Sequence, residues 1–397
     1  MRTAYSQRKV SSNDYRPVAL TSVVMKCLER LVLQRLKVAT DASLDPHQFA
    51  YRANRSVDDA VALGLHHIVE HLEKPGSYAR VLFIDYSSAF NTIVPHKLFS
   101  KLTGMCVEES LCKWVLDFLL DRPQVVRVGS STSSSITLNI GAPQGCVLSP
   151  LLFSLFTNDN VSHDPSVVIL KFSDDTTLEG LISVGDESGY RAEVARVSGW
   201  CVANDLDLNV TKTKEMVFDR RKKKTPLLPL TISGENVEQV DSFKFLGVTI
   251  SNDLSWAVHT DLSVKKAHQR LYFLRQLRKF KVSSSIMSQF YRAAVESLLT
   301  SSITVWYSSS CQFEKEKLEK VVRAASRIVG RDLPSIDSLH ILRMMRKCRS
   351  IMQDPTHPAG HLFQPLLSGR RLRTLRCRTA RLRNSFYPQA VLAFNNR

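Results

Sequence analysis

The order of apolar and polar residues predicts amphipathic helices that alternate with short buried strands. Apolar residues at helical spacing predict one helix over residues 20–38 and a second over 57–73. The residues that define the apolar face of the first helix are Leu28, Leu31, Val32 and Leu36. An uninterrupted apolar run at 81–84 then predicts a buried strand, which ends at Asp85.

The centre of the chain predicts a hairpin, a loop and a buried helix. Alternating residues at 124–140 predict the hairpin, and the run 141–145 predicts the loop by its composition. Ser149 followed by Pro150 is a favourable N-cap and first-turn pair, so we expect an apolar helix from Leu151 to about Asn158.

Strands and helices are also predicted in the second half of the chain. Residues 167–172 and 176–178 predict two strands joined by a tight turn, and 243–250 predicts one further strand. From about Leu262 to near Val329 the pattern predicts helices with breaks. The last 60 residues are basic and rich in proline, and they predict few long periodic segments.

The charge balance narrows the class of partner. The chain has 54 lysine and arginine residues against 37 aspartate and glutamate residues, a formal net charge of +17. Such an excess is typical of proteins that bind a polyanion, either nucleic acid or an acidic membrane surface. No apolar run reaches the roughly 18 residues needed to span a bilayer, and no secretory signal is evident. We therefore expect an intracellular protein of the nucleus or cytoplasm.

Cysteine and histidine spacing gives no support for a zinc site. The eight cysteines are scattered through the chain, which predicts reduced thiols rather than metal ligands or disulfides. His357 and His361 are four residues apart, but Pro358 and Gly360 lie between them. Because proline and glycine are poor helix formers, we do not expect the two histidines to share one helical face.

Three aspartates form the strongest chemical signal. Asp85 ends a predicted strand, and Asp174 and Asp175 are neighbours in a predicted turn. Adjacent carboxylates repel each other unless water or cations neutralise them, and their hard oxygen atoms suit Mg²⁺. Two such ions about 4 Å apart serve phosphoryl transfer, with polymerases as a known example. Taken alone, the Asp-Asp pair also fits an ordinary surface turn.

The residues around these aspartates resemble the reverse transcriptases of non-LTR (LINE-type) retrotransposons. The run FIDYSSAFNTI at 83–93 is similar to their motif A, APQGCVLSP at 142–150 to motif B, and FSDD at 172–175 to motif C. Four further segments match in the family's order, namely 14–18 and 47–56 (fingers), 204–214 (motif D) and 243–247 (primer grip). Ser173 replaces the usual alanine, and a small residue should preserve the hairpin. The downstream sequence resembles most the chicken-repeat-1 and L2 groups of vertebrate elements.

The resemblance implies an α+β fold of the right-hand polymerase type. Its expected domains are fingers over 1–80, which are short at the N-terminus, and a palm over 81–250 with an inserted fingers segment near 103–141. A helical thumb-like region over 251–330 and a basic C-terminal tail over 331–397 would follow.

The resemblance also implies the reaction and its metal ligands. The enzyme would be an RNA-directed DNA polymerase that adds deoxynucleoside triphosphates to the 3′-hydroxyl of a DNA primer on an RNA template. Asp85 and Asp174 would bind two Mg²⁺ ions, for which Mn²⁺ could substitute. Asp175 would take a smaller share of the coordination, and the backbone carbonyl of Tyr86 could add a ligand.

Other residues are implied to bind the nucleotide. Phe90 would lie under the sugar and exclude a 2′-hydroxyl, although core packing is the alternative. Arg52 would bind the triphosphate by bidentate contacts, with a weaker case for Arg55. The remaining residues are Gln144 and Gly145, which would let the backbone approach the base pair, and Lys212 or Lys214, one of which would protonate pyrophosphate. The sequence does not choose between the two lysines.

Two basic segments could contact nucleic acid. Residues 265–281 combine seven basic residues with Leu271, Leu274 and Leu277, the pattern of a basic amphipathic helix in a thumb. The cluster Arg220–Lys224 predicts either a nucleic-acid patch or a nuclear import signal. For both segments a solvated charged face is the alternative.

Two other functions stay open. A catalytically inactive remnant of an element would still bind nucleic acid through its charge. Residues 259–261 form a His-Thr-Asp triplet that, with His340 or His361, could imitate the facial triad of an iron and 2-oxoglutarate oxygenase. Residues 252–395 also resemble an N-terminal region of AlkB-type dioxygenase homologues.

A separate endonuclease domain precedes the polymerase in elements of the resembled groups. Only 13 residues precede Asp14, far fewer than the roughly 50 residues of the smallest domains. We therefore expect this sequence to lack the endonuclease and to depend on a supplied primer.

Overall fold

The computed structural model describes residues 18–222 and 226–396 of the chain, which divides into two compact units. Within the described residues, the first unit comprises 18–44, 87–159 and 202–207, and the second comprises 45–86, 160–201, 208–222 and 226–396. Most of the first fingers motif, 14–17, lies outside the described residues, as do Lys223 and Lys224 of the basic cluster.

Helices dominate the C-terminal third of the chain. The helices are α1 (Val23–Thr40), α2 (Val57–His71), α3 (Pro95–Gly104), α4 (Glu109–Leu119), α5 (Ser149–Phe156), α6 (Ser188–Ala203), α7 (Ala257–Lys279), α8 (Ser284–Phe290), α9 (Ser297–Leu299), α10 (Ile303–Trp306), α11 (Gln312–Val329), α12 (Ile336–Gln353), α13 (Ala380–Arg383) and α14 (Phe386–Asn395). In the described part of the chain, none of these helices is long and apolar enough to cross a membrane.

The strands are concentrated before residue 252. They are β1 (Tyr78–Ile84), β2 (Tyr86–Ser87), β3 (Arg122–Gln124), β4 (Arg127–Val128), β5 (Ser131–Thr132), β6 (Ile136–Leu138), β7 (Val167–Phe172), β8 (Asp175–Ile182), β9 (Asp207–Leu208), β10 (Lys214–Asp219), β11 (Thr231–Ile232), β12 (Glu235–Asn236), β13 (Glu238–Gln239), β14 (Ser242–Phe245) and β15 (Val248–Ser251).

The first unit contains α1, α3, α4, α5 and the predicted hairpin. Strands β3 and β6 pair antiparallel, and β4 pairs with β5 inside them, so the hairpin prediction at 124–140 is confirmed. Helix α4 buries Cys112, Val115 and Leu119, which recur at helical spacing. This periodicity gives the unit one side of its core.

Helix α1 does not use the apolar face that the sequence predicts. Val32 and Leu36 are buried, but Leu28 and Leu31 are 42% and 62% exposed. The buried face instead includes the polar residue Glu29, whose carboxylate accepts the backbone amides of Val147 at 2.6 Å and Leu148 at 3.0 Å. These two hydrogen bonds offset the free-energy cost of removing the carboxylate from water. The spacing of apolar residues alone does not reveal such a buried polar contact.

The start of α5 also differs from the prediction. Leu148 occupies the N-cap position, and Ser149 is the first residue of the helix. The hydroxyl of Ser149 donates to the carbonyl of Pro143 at 2.6 Å, so it fixes the preceding loop rather than capping the helix. Pro150 does lie in the first turn, as expected.

The second unit is built on a five-stranded sheet in the order β13-β10-β1-β8-β7. Strand β1 lies at its centre and pairs antiparallel with both β10 and β8. All seven residues of β1 are buried, and the apolar run 81–84 forms its second half. The one charged residue of the strand, Arg80, is buried in an ion pair with Glu215 at 2.7 Å. Helix α2, which agrees with the predicted 57–73, contributes Ala60, Val61 and Leu63 to the same core.

The predicted single strand at 243–250 is wrong, because the segment forms a hairpin of β14 and β15. Leu246 and Gly247 form its turn and have φ angles of 46° and 88°. Positive φ at both central positions is the requirement of the tight turn that joins two twisted strands. Leucine is uncommon at the first position of such a turn, so the sequence did not indicate it.

The helices from α7 onward confirm the helical prediction for 262–329. The expectation of few long periodic segments after that is wrong, because α12 runs for 18 residues. Its buried face is formed by Ile336, His340, Met344, Met345, Cys348 and Ile351. A histidine and several intervening basic residues weaken the apolar period, yet the helix packs in the main core.

Candidate active site

The sheet of the second unit brings the three predicted aspartates to one edge. Asp85 directly follows β1, whose last residue Ile84 pairs with Thr176 of β8. Strands β7 and β8 form a hairpin in which Phe172 pairs with Asp175. The antiparallel register therefore places Asp85 opposite Asp175, beside the turn that carries Asp174.

The turn between β7 and β8 has only two central residues, Ser173 and Asp174. Ser173 has a φ of 62°, a left-handed conformation that costs a residue other than glycine of order 1 kcal/mol. Its hydroxyl lies 2.9 Å from the hydroxyl of Tyr51, and its amide donates to the side-chain oxygen of Gln48 at 3.4 Å. The hairpin expected from a small residue at this position is confirmed, and residues of the second fingers motif hold it.

The backbone of Asp85 is fixed by the segment that precedes β10. Its amide donates to the hydroxyl of Thr213 at 3.3 Å, and its carbonyl accepts the amide of Asn209 at 2.8 Å. Thr213 lies between the two candidate lysines in the sequence, and it is fully buried. Thr213 is not among the residues predicted from the sequence, although its position inside the motif D run is a usable signal.

The carboxylates suit a hard divalent cation in chemistry but do not form a closed cage. Asp85 and Asp174 are half-buried and Asp175 is exposed. Within residues 18–222 and 226–396, no hydrogen bond or ion pair occupies the carboxylates of Asp85 and Asp174, and no group of three or more His, Cys, Asp or Glu side chains is close enough to hold a metal ion. The site thus offers oxygen ligands that substrate phosphates or water would have to complete.

A cavity of about 300 Å³ opens beside Asp85 and Asp175. Its other wall is the β14–β15 hairpin, where the ring of Phe243 stacks on Phe83 with 4.3 Å between centroids. Lys212 and Lys244 also line the cavity, so it has both carboxylates and ammonium groups. Carboxylates attract cations and ammonium groups attract phosphates, so the cavity has the chemical groups for both.

The structure distinguishes the two candidate lysines. The ammonium group of Lys214 donates to Glu238 at 2.6 Å and to the carbonyl of Thr211 at 2.7 Å. Lys212 is exposed and lines the cavity beside Asp85. Of these two lysines, Lys212 is therefore the one whose side chain lines the cavity beside the aspartates.

The two candidate arginines also differ. Arg52 is half-buried and donates to the carbonyl of Asp45 at 2.9 Å. The side chain of Arg55 is only 1% exposed and donates to Asp354 at 3.3 Å and to the carbonyl of Thr356 at 2.6 Å. Arg55 is thus engaged by residues almost 300 positions away, an association that no local sequence pattern indicates.

Tyr86 and three other predicted nucleotide contacts have structural partners. The hydroxyl of Tyr86 is buried and donates to Thr176 at 3.3 Å. In the first unit, the side chain of Gln144 donates to Asn91 at 3.1 Å, and Gly145 has a φ of 95°, which a side chain would strain. The half-buried ring of Phe90 lies 5.1 Å from that of Phe153.

The residues proposed for an iron site do not converge. His259 is buried, and its Nδ1 accepts the amide of Thr249 at 3.2 Å. Asp261 is exposed on the same helix and pairs with Lys317 at 2.6 Å. His340 contacts the hydroxyl of Ser308 at 3.0 Å, and His361 contacts the carbonyl of Pro358 at 2.8 Å. Each candidate ligand therefore has a separate structural partner.

The cysteines agree with the prediction of reduced thiols. All eight lie in the described part of the chain and all are free, with Cys112, Cys146, Cys201 and Cys348 buried. Burial raises the pKa of Cys201 to about 12, which leaves it unreactive.

Comparison with known families gives two matches. Residues 7–250 match the family described as reverse transcriptase (RNA-dependent DNA polymerase). Residues 256–297 match the family described as alkylated DNA repair protein alkB homolog 8, N-terminal. The first match covers more than half of the chain, whereas the second is confined to α7, α8 and the turn of π-helix that follows them.

Three curated relatives from Drosophila melanogaster are RNA-directed DNA polymerases of mobile elements. The probable polymerase from transposon BS is 28% identical over 309 residues, which are 75% of this chain and 34% of the relative. The polymerase from mobile element jockey is 26% identical over 62% of this chain and 28% of the relative, and that from transposon X-element is 25% identical over 80% and 35%. This chain thus spans about a third of the length of these relatives.

Among solved structures, apo telomerase from Candida tropicalis is similar with a TM-score of 0.44 and 13% identity, over 83% of this chain and 60% of that chain. Telomerase from Candida albicans in complex with a fragment of telomeric RNA is similar with a TM-score of 0.40 and 10% identity, over 83% of this chain and 54% of that chain.

Proposed function

This chain belongs to the reverse transcriptase family, and from that premise we propose that it is an RNA-directed DNA polymerase of a non-LTR retrotransposon. It would add deoxynucleotides to the 3′-hydroxyl of a DNA primer on an RNA template. The observation that carries the proposal is the placement of Asp85 beside the Asp174–Asp175 turn, at the edge of one sheet.

Reverse transcriptases use divalent metal ions. We propose that Asp85 and Asp174 hold two Mg²⁺ ions, or Mn²⁺ in their place, and that Asp175 contributes less. When bound, such ions lower the pKa of the attacking hydroxyl and stabilise the leaving oxygen. The protein's part is to hold two carboxylates side by side on rigid backbone, so that little reorganisation is needed during the reaction.

Lys212 is proposed to protonate the leaving pyrophosphate. Lys212→Met should lower kcat by roughly 10²- to 10⁴-fold, the usual contribution of a positioned general acid. Primer extension under multiple-turnover conditions with saturating dTTP measures the loss.

Lys214→Met is the matched control, because its side chain is paired with Glu238. It should change kcat little. An equal loss in both variants would show that neither lysine is the acid and that positive charge alone matters.

Arg52 is proposed to contact the triphosphate, since a guanidinium group matches phosphate oxygens in a bidentate manner. Arg55 is better described as a positioning residue, because its donors are used by Asp354, Thr356 and Pro46. Gln144 and Gly145 are proposed to support the template–nucleotide pair, and Tyr86 to offer its backbone carbonyl near the metals.

Phe90 is proposed to exclude the 2′-hydroxyl of a ribonucleotide. Phe90→Val should lower the ratio of kcat/KM for dGTP over GTP by at least about tenfold, because the smaller side chain opens space where the hydroxyl would collide. Phe99→Val, another half-buried phenylalanine of the same unit, is the control and should leave the ratio unchanged. A normal ratio in an active Phe90 variant would make this residue part of the core.

The domain division stays a proposal: fingers over 1–80, palm over 81–250 with the insertion near 103–141, thumb over 251–330 and tail over 331–397. In α7 Leu271 and Leu274 are buried while most basic residues are exposed, which supports the thumb assignment. The affiliation with chicken-repeat-1 and L2 elements, the dependence on an endonuclease domain outside this sequence, and a nuclear or cytoplasmic location likewise stay predictions.

The decisive test of the function is primer extension on a poly(A) template with an oligo(dT) primer and Mg²⁺. We expect incorporation of dTTP that requires both template and primer. A folded protein that binds this substrate without extending it would instead be the inactive nucleic-acid-binding remnant.

A further inference from the structure

The end of the chain has an unusual charge pattern. Asp354 is the last acidic residue, and residues 355–397 contain eight arginines and no lysine. Six of these arginines are exposed within 14 consecutive positions, and we call them the arginine strip: Arg370, Arg371, Arg373, Arg376, Arg378 and Arg383. Within the described residues, none of the six forms an ion pair. Of the six, Arg378 lies close enough to Glu73 for their charges to interact, so the protein neutralises the strip only in part.

The strip has an ordered backbone although it contains little regular secondary structure. Arg373 donates its amide to Gln364 at 2.7 Å, and Arg371 accepts the amide of Leu366 at 2.8 Å. The carboxylate of Glu73 accepts the amide of Arg378 at 2.9 Å and that of Thr379 at 2.7 Å. Because the backbone is already fixed, a ligand of these side chains would not have to order the segment first.

The contact with Glu73 places the strip far from the candidate active site. Glu73 precedes the start of β1 at Tyr78, whereas Asp85 follows the opposite end of the same strand. A strand rises about 3.3 Å per residue, so the seven residues of β1 separate the two ends by roughly 20 Å. The strip thus belongs to the end of the sheet away from the aspartates.

Further positive charge lies at this end of the sheet. Asp219 pairs with Tyr78, and exposed Arg220 follows it. Burial first, and the charge of Arg220 second, lower the pKa of Arg381, while nearby Asp253 raises it. The arginines outnumber the neighbouring carboxylates Glu73, Asp219 and Asp253, and a polyanion would relieve the repulsion between the excess positive charges.

The side-chain types favour one class of polyanion. Arginine presents a planar fork that matches phosphate oxygens, which a run of arginines without lysine would use. Residues 364–385 contain no aromatic residue on which an unpaired base could stack. We propose that the arginine strip binds the phosphate backbone of a nucleic-acid duplex, at a surface separate from the catalytic cavity.

The test is a titration of a fluorescent 25-base-pair DNA duplex with the whole protein at several salt concentrations. The variant Arg373→Gln/Arg376→Gln/Arg378→Gln should bind more weakly, and the slope of log affinity against log salt should fall by about 3, since each phosphate contact contributes about 0.9. Extension of a short primer–template with Asp85 and Asp174 intact should continue at the parental rate, so this outcome is independent of the catalytic proposal.

The matched control is Arg292→Gln/Arg346→Gln/Arg349→Gln, which removes three exposed arginines elsewhere in the same unit. It should keep most of the affinity and of the salt slope. Equal losses in the two triple variants would overturn the proposal, because net charge would then explain the binding. The proposal would also be wrong if the triple variant of the strip lost affinity only for single-stranded DNA, or only for vesicles containing phosphatidylserine. Thermal melting of each variant checks that the fold is retained.

Discussion

Replacing Asp174 with asparagine should lower the rate of primer extension by at least about 10³-fold, the scale of losing a group that stabilises transition-state charge. Asp174 lies in the two-residue turn beside Asp85, and no protein group in the described chain neutralises either carboxylate. Asparagine keeps the shape of the side chain but removes the charge that would attract the metal ions. Single-turnover extension with saturating dTTP measures the loss.

The same substitution should leave the fold intact. Removal of one of two neighbouring charges relieves repulsion, so the unfolding midpoint without metal should stay constant or rise slightly. Asp85→Asn should behave in the same way, whereas Asp186→Asn, at an exposed turn after the other end of β8, should retain the parental rate. Parental activity in either Asp85→Asn or Asp174→Asn would refute the assignment of the metal ligands.

Replacing Asp59 with alanine should cost about 3–5 kcal/mol of unfolding free energy, the range for breaking a buried ion pair by removing one partner. Asp59 is 1% exposed and accepts hydrogen bonds from Ser56 at 2.7 Å and Lys347 at 2.8 Å. His357 lies 3.4 Å from its other oxygen. Urea unfolding measures the loss, and Glu70→Ala at an exposed site of the same helix is the control.

A second variant distinguishes a lost ion pair from a simple cavity. Asp59→Ala combined with Lys347→Met removes both charges and should recover part of the stability. No recovery would mean that Lys347 contributes nothing to the effect.

The stability due to Asp59 should also depend on pH. Burial raises the pKa of this carboxyl, but His357, Lys347 and Ser56 together lower it further, so the net pKa lies below the ordinary value of 3.8. A depressed pKa means that the contribution is complete above about pH 4 and disappears as the pH falls through the folded-state value. The difference between parental protein and Asp59→Ala should therefore shrink only in acid.

The polymerase fold and the edge of the sheet that carries the three aspartates could be predicted from the sequence. The α+β right-hand polymerase class is confirmed by membership of the reverse transcriptase family and by the mixed sheet with its helical C-terminal region. Asp85 and the Asp174–Asp175 turn occupy a strand end and a hairpin, where local sequence determines the conformation. Their roles as metal ligands stay predictions.

The remaining features depend on contacts between distant segments. Glu29 is buried because it meets two backbone amides more than 100 residues away, so the apolar period of α1 indicated the wrong face. Arg55 and Lys347 owe their positions to partners almost 300 residues away. Lys212 and Lys214 are two residues apart in the same motif, and only the position of Glu238 separates their environments.

The docking of the C-terminal segment on α2 has a consequence for biosynthesis. Asp354 meets Arg55 and Thr379 meets Glu73, so these contacts join positions about 300 residues apart. Contacts of such long range form late and slow folding, because the intervening loop must close first. Before residues 354–379 are synthesised, α2 lacks these partners. The apolar and acidic surface of α2 would then be exposed, and chaperones could bind it or it could aggregate. Synthesis of residues 354–379 is thus a condition for the unit that contains α2 to reach its final stability.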